Sequence, residues 1–276
     1  MGIFFKGMDL STLIEVESCG GKFHDGGRQG DAVEILKGYG MNLVRLRLWN
    51  DPYSEDGIPY GAGTNDLPRT IQMARRVQQA GIPWMLDLHY SDFWADPGKQ
   101  TIPKAWRGMS PAELEQAVYD FTLWVLNRLG QEKLLPNIVA VGNELSNGLL
   151  WPWGRVPDFE NIARFLNAGI RAVRQAAPEA EIMLHLDNGG NNELYRSWFD
   201  SYFACGAAPP PELGVRLVPC TTIAGHCVLP AVPAKALRVG SRRVQGFLAA
   251  FCRPETPPEH WTALLDSELA GQLGIR

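Results

Sequence analysis

Two periods of apolar and polar positions alternate along roughly the first 190 residues. Short apolar runs of strand type fall at residues 3–5, Leu43–Leu48, Trp84–Leu88, Ile138–Val141 and residues 181–186. Between them the apolar positions recur with the period of an amphipathic helix. Residues 31–39 place Ala32, Ile35 and Leu36 on one face, and Gly40 ends the pattern. Residues 67–80 carry Pro68 in the first turn and Gly81 as terminator. Ser110-Pro111-Ala112-Glu113 joins an N-cap, a proline at N1 and a glutamate at N3, which predicts a helix to about Leu129 with Gly130 after it. A fourth helix is predicted over Phe159–Ala176, with Pro178 beyond it. Strand and helix in even alternation mean a parallel sheet with helical crossovers, so the fold class is α/β. The loops after the strands are long and rich in Trp, Asp, Asn and Tyr. That suits a (β/α)8 TIM barrel, whose site forms at the C-terminal strand ends. Phosphate-loop and dinucleotide glycine spacings are missing after the first strand; Gly20-Gly21 and Gly26-Gly27 do not match them.

Length and composition sharpen this. The 276 residues suit one barrel of about 250. The strand centres, near residues 4, 46, 86, 140 and 184, have a mean pitch of 45 residues, so the chain holds about seven such units rather than eight. The composition also breaks near residue 200. Residues 201–276 hold 9 of the 20 prolines and 4 of the 5 cysteines, but one of the 9 tryptophans. The expected organisation is therefore a barrel portion over residues 1–200 and a divergent segment over 201–276, with the barrel incomplete or altered after the fifth strand. A net charge of −4 argues against a basic nucleic-acid surface. No apolar run approaches the roughly 18 residues that span a bilayer. The first residues lack a positive region followed by a long apolar stretch, so the chain as given reads as cytoplasmic.

Asn143-Glu144 directly follows an apolar strand. A carboxylate beside an amide at a barrel mouth suits acid–base work: protonated it donates to a leaving oxygen, ionised it activates water. Asn143 suits a substrate hydroxyl. The structural alternative is a helix-capping pair at a strand exit. Arg45 and Arg47 share one side of their strand by period two. Arg47, nearer the strand end, is expected at the mouth, where it fixes a carboxylate or holds its pKa low. The alternative is a structural ion pair with Asp9 or Asp87. His89, Asp92 and Trp94 follow the third strand, and Trp49, Trp106 and Trp151 have a similar setting. Aromatic planes stack on sugar C–H faces, while amides and charges bind the hydroxyl rim. Trp94 and Trp151 read as ligand platforms; Trp84 and Trp124, in strand and helix patterns, read as core. No cofactor or metal is expected. His24 with Asp25, His89 with Asp92 and Asp96, and His185 with Asp187 lack a ligand spacing, and Cys220, His226 and Cys227 cluster by count only. No Gly-x-Ser-x-Gly elbow begins a serine triad.

Several stretches are shared with one known family. They are Phe5-Lys6-Gly7-Met8-Asp9-Leu10-Ser11, residues 44–53, and Leu88-His89-Tyr90-Ser91-Asp92-Phe93-Trp94-Ala95-Asp96-Pro97-Gly98-Lys99-Gln100 with Pro103-Lys104-Ala105-Trp106. Val141-Gly142-Asn143-Glu144, Asn147-Gly148-Leu149-Leu150-Trp151-Pro152 and His185-Leu186-Asp187-Asn188-Gly189-Gly190 complete the set. Over about residues 3–200 the chain resembles glycoside hydrolase family 53, the arabinogalactan endo-β-1,4-galactanases. The resemblance implies an α/β barrel that cuts the β-1,4-galactan side chains of pectin with retention, using two glutamates. Its acid/base stands in an Asn-Glu pair after the fourth strand, which maps onto Asn143 and Glu144. Arg45 matches a supporting arginine of the second strand. His89, Asp92 and Trp94, with Trp49, Trp151 and Asp187, are expected to bind substrate. The implied partner is the polysaccharide, with no nucleic acid or membrane, and the protein is expected to be a monomer; family relatives are often secreted. The nucleophile belongs at the end of the seventh strand, and the family pattern stops near residue 200. Glu212, Glu255, Glu259 and Glu268 are the late carboxylates, none after a convincing strand. Residues 201–276 thus read as a truncated or frame-shifted remainder of the same barrel. Two other readings compete: an inactive carbohydrate-binding barrel without a nucleophile, and a barrel enzyme for a phosphorylated metabolite, for which no phosphate cradle is visible.

Overall fold

Five parallel strands carry the architecture: β1 (Gly7–Asp9), β2 (Leu43–Leu48), β3 (Trp84–Leu88), β4 (Ile138–Val141) and β5 (Glu181–Met183), each paired with the next in chain order. They belong to a computed structural model that describes residues 5–188 and 191–206. Helices α1 (Leu13–Ser18) and α2 (Ala32–Gly38) lie between β1 and β2, with a small hairpin, Phe23–Asp25 against Arg28–Gly30, between them. Single helices make the next three crossovers: α3 (Leu67–Gln79), α4 (Pro111–Gln131) and α5 (Phe159–Ala176). Helix α6 (Asn192–Ala204) follows β5. Parallel neighbours require such crossovers, and sequential parallel pairing is how a (β/α)8 barrel is laid down.

Period two divides the sheet into unlike faces. Val44, Leu46 and Leu48 of β2, Trp84, Leu86 and Leu88 of β3, Val139 and Val141 of β4 and Ile182 of β5 join one apolar core with the helices. The other face carries Arg45, Arg47, Met85, Asp87, Ile138, Ala140 and Met183. Register sets Arg47 opposite Asp87, Asp87 opposite Ala140, and Ala140 opposite Met183. Charge is thereby gathered on one face of a sheet whose three central strands are wholly buried.

Local signals explain the helix limits. Asp31, Asp66, Ser110 and Asp158 cap α2, α3, α4 and α5 through their side chains, and Ser110 with Glu113 forms a reciprocal capping box. Gly40 and Gly81 end α2 and α3 in the left-handed conformation, as expected. Helix α4 differs. It passes through Gly130, and Lys133 takes the left-handed position at φ 59°, with Lys133 N–H donating to Gly130 O and Leu134 N–H to Leu129 O, both at 2.9 Å. That pair of bonds is the usual double closure of a helix end, so three further residues satisfy the carbonyls that a stop at Leu129 would leave open.

Other differences are instructive. The first strand among the described residues is Gly7–Asp9; of the run expected at residues 3–5, residues 3 and 4 lie outside the described residues. Pairing of β5 with β4 ends at Met183, short of the run expected to residue 186. Trp124, expected in the core, is 55% exposed. Helix α4 turns Leu114, Val118, Thr122, Val125 and Leu126 inward, and position 124 falls outside that stripe. Among the described residues no helix is long and apolar enough to cross a membrane.

Candidate active site

A buried ion cluster occupies the polar face of the sheet. Arg45 Nε donates to Asp87 Oδ2 at 2.8 Å, and Arg45 Nη2 also donates to that carboxylate. Arg45 Nη1 lies 3.0 Å from Asp9 Oδ2, and Nη2 donates to Asn143 Oδ1 at 2.9 Å. Arg47 Nε stands 3.2 Å from the same Asp9 oxygen. Two guanidinium groups thus balance two carboxylates. Burying any one of these charges alone would cost several kcal/mol, of order 3–5 on removing a partner. The two carboxyl groups respond differently. Burial raises the pKa of Asp9, but Arg47, Arg45 and the bonds from Ser11 outweigh it and hold the group below the usual carboxylate range. Burial wins at Asp87, whose carboxyl is pushed up despite Arg45. His185 is driven well below the ordinary imidazole range by burial and then by the charge of Arg45, so it stays neutral.

Glu144 sits at the exit of β4, 3% exposed, with its backbone in the left-handed region at φ 50° and ψ 58°. A non-glycine residue held there costs roughly 1–3 kcal/mol, and surrounding bonds must over-determine it. They do. Gln100 Nε2 donates to the carbonyls of Asn143 and Glu144 at 2.8 and 3.2 Å. Leu145 N–H donates to His185 O at 2.7 Å, and Trp198 Nε1 of α6 donates to Leu145 O at 2.9 Å. Gly142 precedes the pair at φ 88°, where a Cβ would come within 2.7 Å of Leu145 Cδ2. Asn143 is held at both ends of its amide, accepting from Arg45 and donating through Nδ2 to Ala95 O at 2.7 Å. The ion cluster therefore reaches the residue beside Glu144 through one hydrogen bond.

An aromatic wall stands next to this turn. Trp49 is 1% exposed, and its Nε1 donates to His89 Nδ1 at 3.2 Å. The Arg47 guanidinium carbon lies 4.1 Å from the ring centre of Trp94. Phe93 packs on Trp49 with centroids 4.8 Å apart. Trp151 donates through Nε1 to Asn147 O at 2.9 Å and is faced by Arg155 at 4.4 Å. Such an arrangement combines a buried carboxylate, a neutral imidazole and partly exposed indoles, which suits acid–base chemistry on a sugar.

A family model described as Glycosyl hydrolase family 53 matches residues 5–207. The chain belongs to that family. A protein of Niallia circulans described as uncharacterized is 41% identical over 212 residues, covering 74% of this chain and 56% of its own length. Arabinogalactan endo-β-1,4-galactanase A of Aspergillus niger is 36% identical over 206 residues, covering 74% of this chain and 57% of its own length. The glycoside hydrolase family 53 catalytic domain of Ignisphaera aggregans superposes with a TM-score of 0.74 at 38% identity, covering 79% of this chain and 59% of that one. A fungal β-1,4-galactanase gives 0.73 at 31% identity, covering 80% and 64%. The chain thus spans a little over half the length of the curated relatives it matches. These likenesses place the fold among the TIM barrels.

Within this family 53 chain, the structure brings Arg45, Asn143, Glu144, Trp49, His89 and Trp94 into one neighbourhood. Both arginines carry the ion pairs that the sequence left as the structural alternative, and Arg45 also grips Asn143. Trp49 lies beneath Phe93 and Trp94, so it backs the wall rather than facing outward. Asp92 spends its carboxylate on the loop, accepting from Asp51 N–H at 3.1 Å and Lys104 N–H at 2.7 Å. Asp187 is buried and accepts from Asn188 Nδ2. Trp151 is tied to the loop after β3 by Trp151 N–H donating to Gln100 O at 2.8 Å. Sequence reading passed over Gln100 and Trp198 as supports of the Glu144 turn. Gln100 stands in the most specific family run, which was its one signal. Cys220, His226, Cys227 and the late glutamates Glu212, Glu255, Glu259 and Glu268 lie outside the described residues.

Proposed function

We propose that this family 53 chain is built to cleave internal β-1,4-galactosidic bonds in galactan or type I arabinogalactan, with Glu144 as the acid/base. What supports the reading most is Glu144 itself: a buried glutamate held in a strained turn beside Asn143, whose amide is fixed by the Arg45 cluster. Its carboxylic acid protonates the leaving glycosidic oxygen; the resulting carboxylate then draws a proton from water. A retaining reaction needs a second carboxyl about 5–5.5 Å away as nucleophile. Asn143, anchored at both ends, fixes the backbone from which Glu144 projects. Trp94 and Trp151 supply stacking surface, and His89 adds a polar edge beside them.

The test is reducing-sugar release from β-1,4-galactan by the full chain and by Glu144→Gln. The wild type is expected to release sugar and the variant to lose roughly 10²–10⁴-fold in kcat. Undiminished turnover in the variant would remove Glu144 from the role. Saturable galactan binding with no turnover in the wild type would favour the other reading, an inactive carbohydrate-binding barrel. The observation on that side is that the parallel sheet of the described residues has five strands, whereas the nucleophile is expected at the end of a seventh.

A further inference from the structure

A recess adjoins the aromatic wall at Phe93. It encloses about 400 Å³ and is lined in part by Tyr60, Phe93, Lys99, Thr101 and Arg107, with Asp92 at its side. That volume falls within the roughly 300–1,000 Å³ of small-molecule sites. Phe93 and Tyr60 meet edge to face with centroids 5.9 Å apart, so the recess has apolar ring surface of the kind that takes pyranose C–H groups. Its charges are of one dominant sign. Lys99 Nζ lies 5.5 Å from the Phe93 ring centre, and among the described residues neither Lys99 nor Arg107 has a carboxylate partner. The one lining carboxylate, Asp92, is committed to the N–H groups of Asp51 and Lys104. Lys104, the neighbouring cation, already pairs with Asp51 at 2.6 Å. Lys99 and Arg107 are exposed and solvated; a carboxylate on the ring would gain contacts with both that a neutral sugar has no group to make.

We propose that this recess binds a hexuronate, a pyranose that carries a carboxylate. Phe93 and Tyr60 take the ring, Lys99 and Arg107 take the carboxylate, and the Thr101 hydroxyl is available to a ring hydroxyl. Phe93 also packs on Trp49, so the recess adjoins the candidate active site without sharing Glu144. Binding here is separable from cleavage of galactan.

Ligand-observed NMR titration of the full chain with D-galacturonate, D-galactose and acetate tests it. Galacturonate is expected to bind roughly tenfold more tightly than either of the others, the gain from two exposed charge contacts added to ring stacking. The double variant Lys99→Gln, Arg107→Gln is expected to lose that preference while its Tm and circular dichroism stay those of the wild type. Undetectable galacturonate binding, equal binding of galactose, or an unaltered preference in the double variant overturns the proposal. Acetate binding as tight as galacturonate overturns it too, since the recess would then recognise charge without sugar. Galactan cleavage is scored on the same samples. A chain that prefers galacturonate but cleaves nothing sinks only the galactanase reading.

Discussion

At the scale of single residues, the buried cluster concentrates both the cost and the specificity of the site. Asp87 is fully enclosed and holds Arg45 by two donors, yet its own pKa is raised because burial outweighs the attraction. Its removal takes from Arg45 the carboxylate that accepts from both Nε and Nη2. Asp87→Ala is therefore expected to cost about 3–5 kcal/mol of unfolding free energy. Asp87→Asn keeps an acceptor for the guanidinium and sheds a poorly solvated charge, so it should cost less. Urea denaturation of the three proteins checks the order, and an alanine variant within 1 kcal/mol of wild type, about the level of a surface pair, would contradict it. Arg45 and Arg47 were legible as a same-side pair from period two alone. That Arg45 holds Asn143, 98 positions away, was not, because no local spacing records which strand neighbours which.

At the scale of elements, the packing of α5 against the sheet turns on a glycine. A Cβ at Gly169 would stand 2.6 Å from Val141 Cγ1 and 2.7 Å from Tyr90 Oη. Both neighbours are buried, and Tyr90 Oη is bonded to Thr122 Oγ1 at 2.7 Å, so neither has room to yield. In an exposed helix, glycine to alanine gains about 1 kcal/mol of propensity. Here overpacking, typically 1–3 kcal/mol, opposes it and should win. Gly169→Ala is expected to lower Tm, which calorimetry reads directly; a rise would show that α5 can move off the sheet. Helices α2 to α5 were visible in advance because caps, terminators and an aliphatic stripe agreed. Helix α6 was not, although Tyr195, Trp198, Phe199 and Tyr202 do fall on one face. Its stripe is wholly aromatic, and aromatic residues are weak helix formers, so propensity spoke against a pattern that tertiary packing rewards. Helix α1, six residues long, was too short to show a period.

At the scale of the molecule, the buried neutral imidazole links folding to pH. His185 in the folded protein has a pKa well below 6.5, while in the unfolded chain it is free to titrate near that value. Below about pH 6.5 the unfolded chain therefore binds a proton that the folded protein refuses. The stability contributed by His185 is full above that pH and is lost as pH falls, by about 1.4 kcal/mol per unit. His185→Asn should flatten the difference between pH 6.5 and 5, and an unchanged slope in the variant would assign the loss elsewhere. The same scale separates what was written in the order of residues from what was not. Periodicity alone determined the alternation of strands and helices, the division of each strand into two faces, and a carboxylate at the exit of β4, because these depend only on neighbours a few positions apart. Pairing order, register and the helical crossovers decided the rest. They brought Asp9, Arg45, Asp87 and Asn143 together from four strand segments, buried Trp49 while leaving Trp124 outside, and set Gln100 and Trp198 beneath the Glu144 turn. Those meetings are long-range, and their energies come from burial and charge balance that exist only once the sheet has formed.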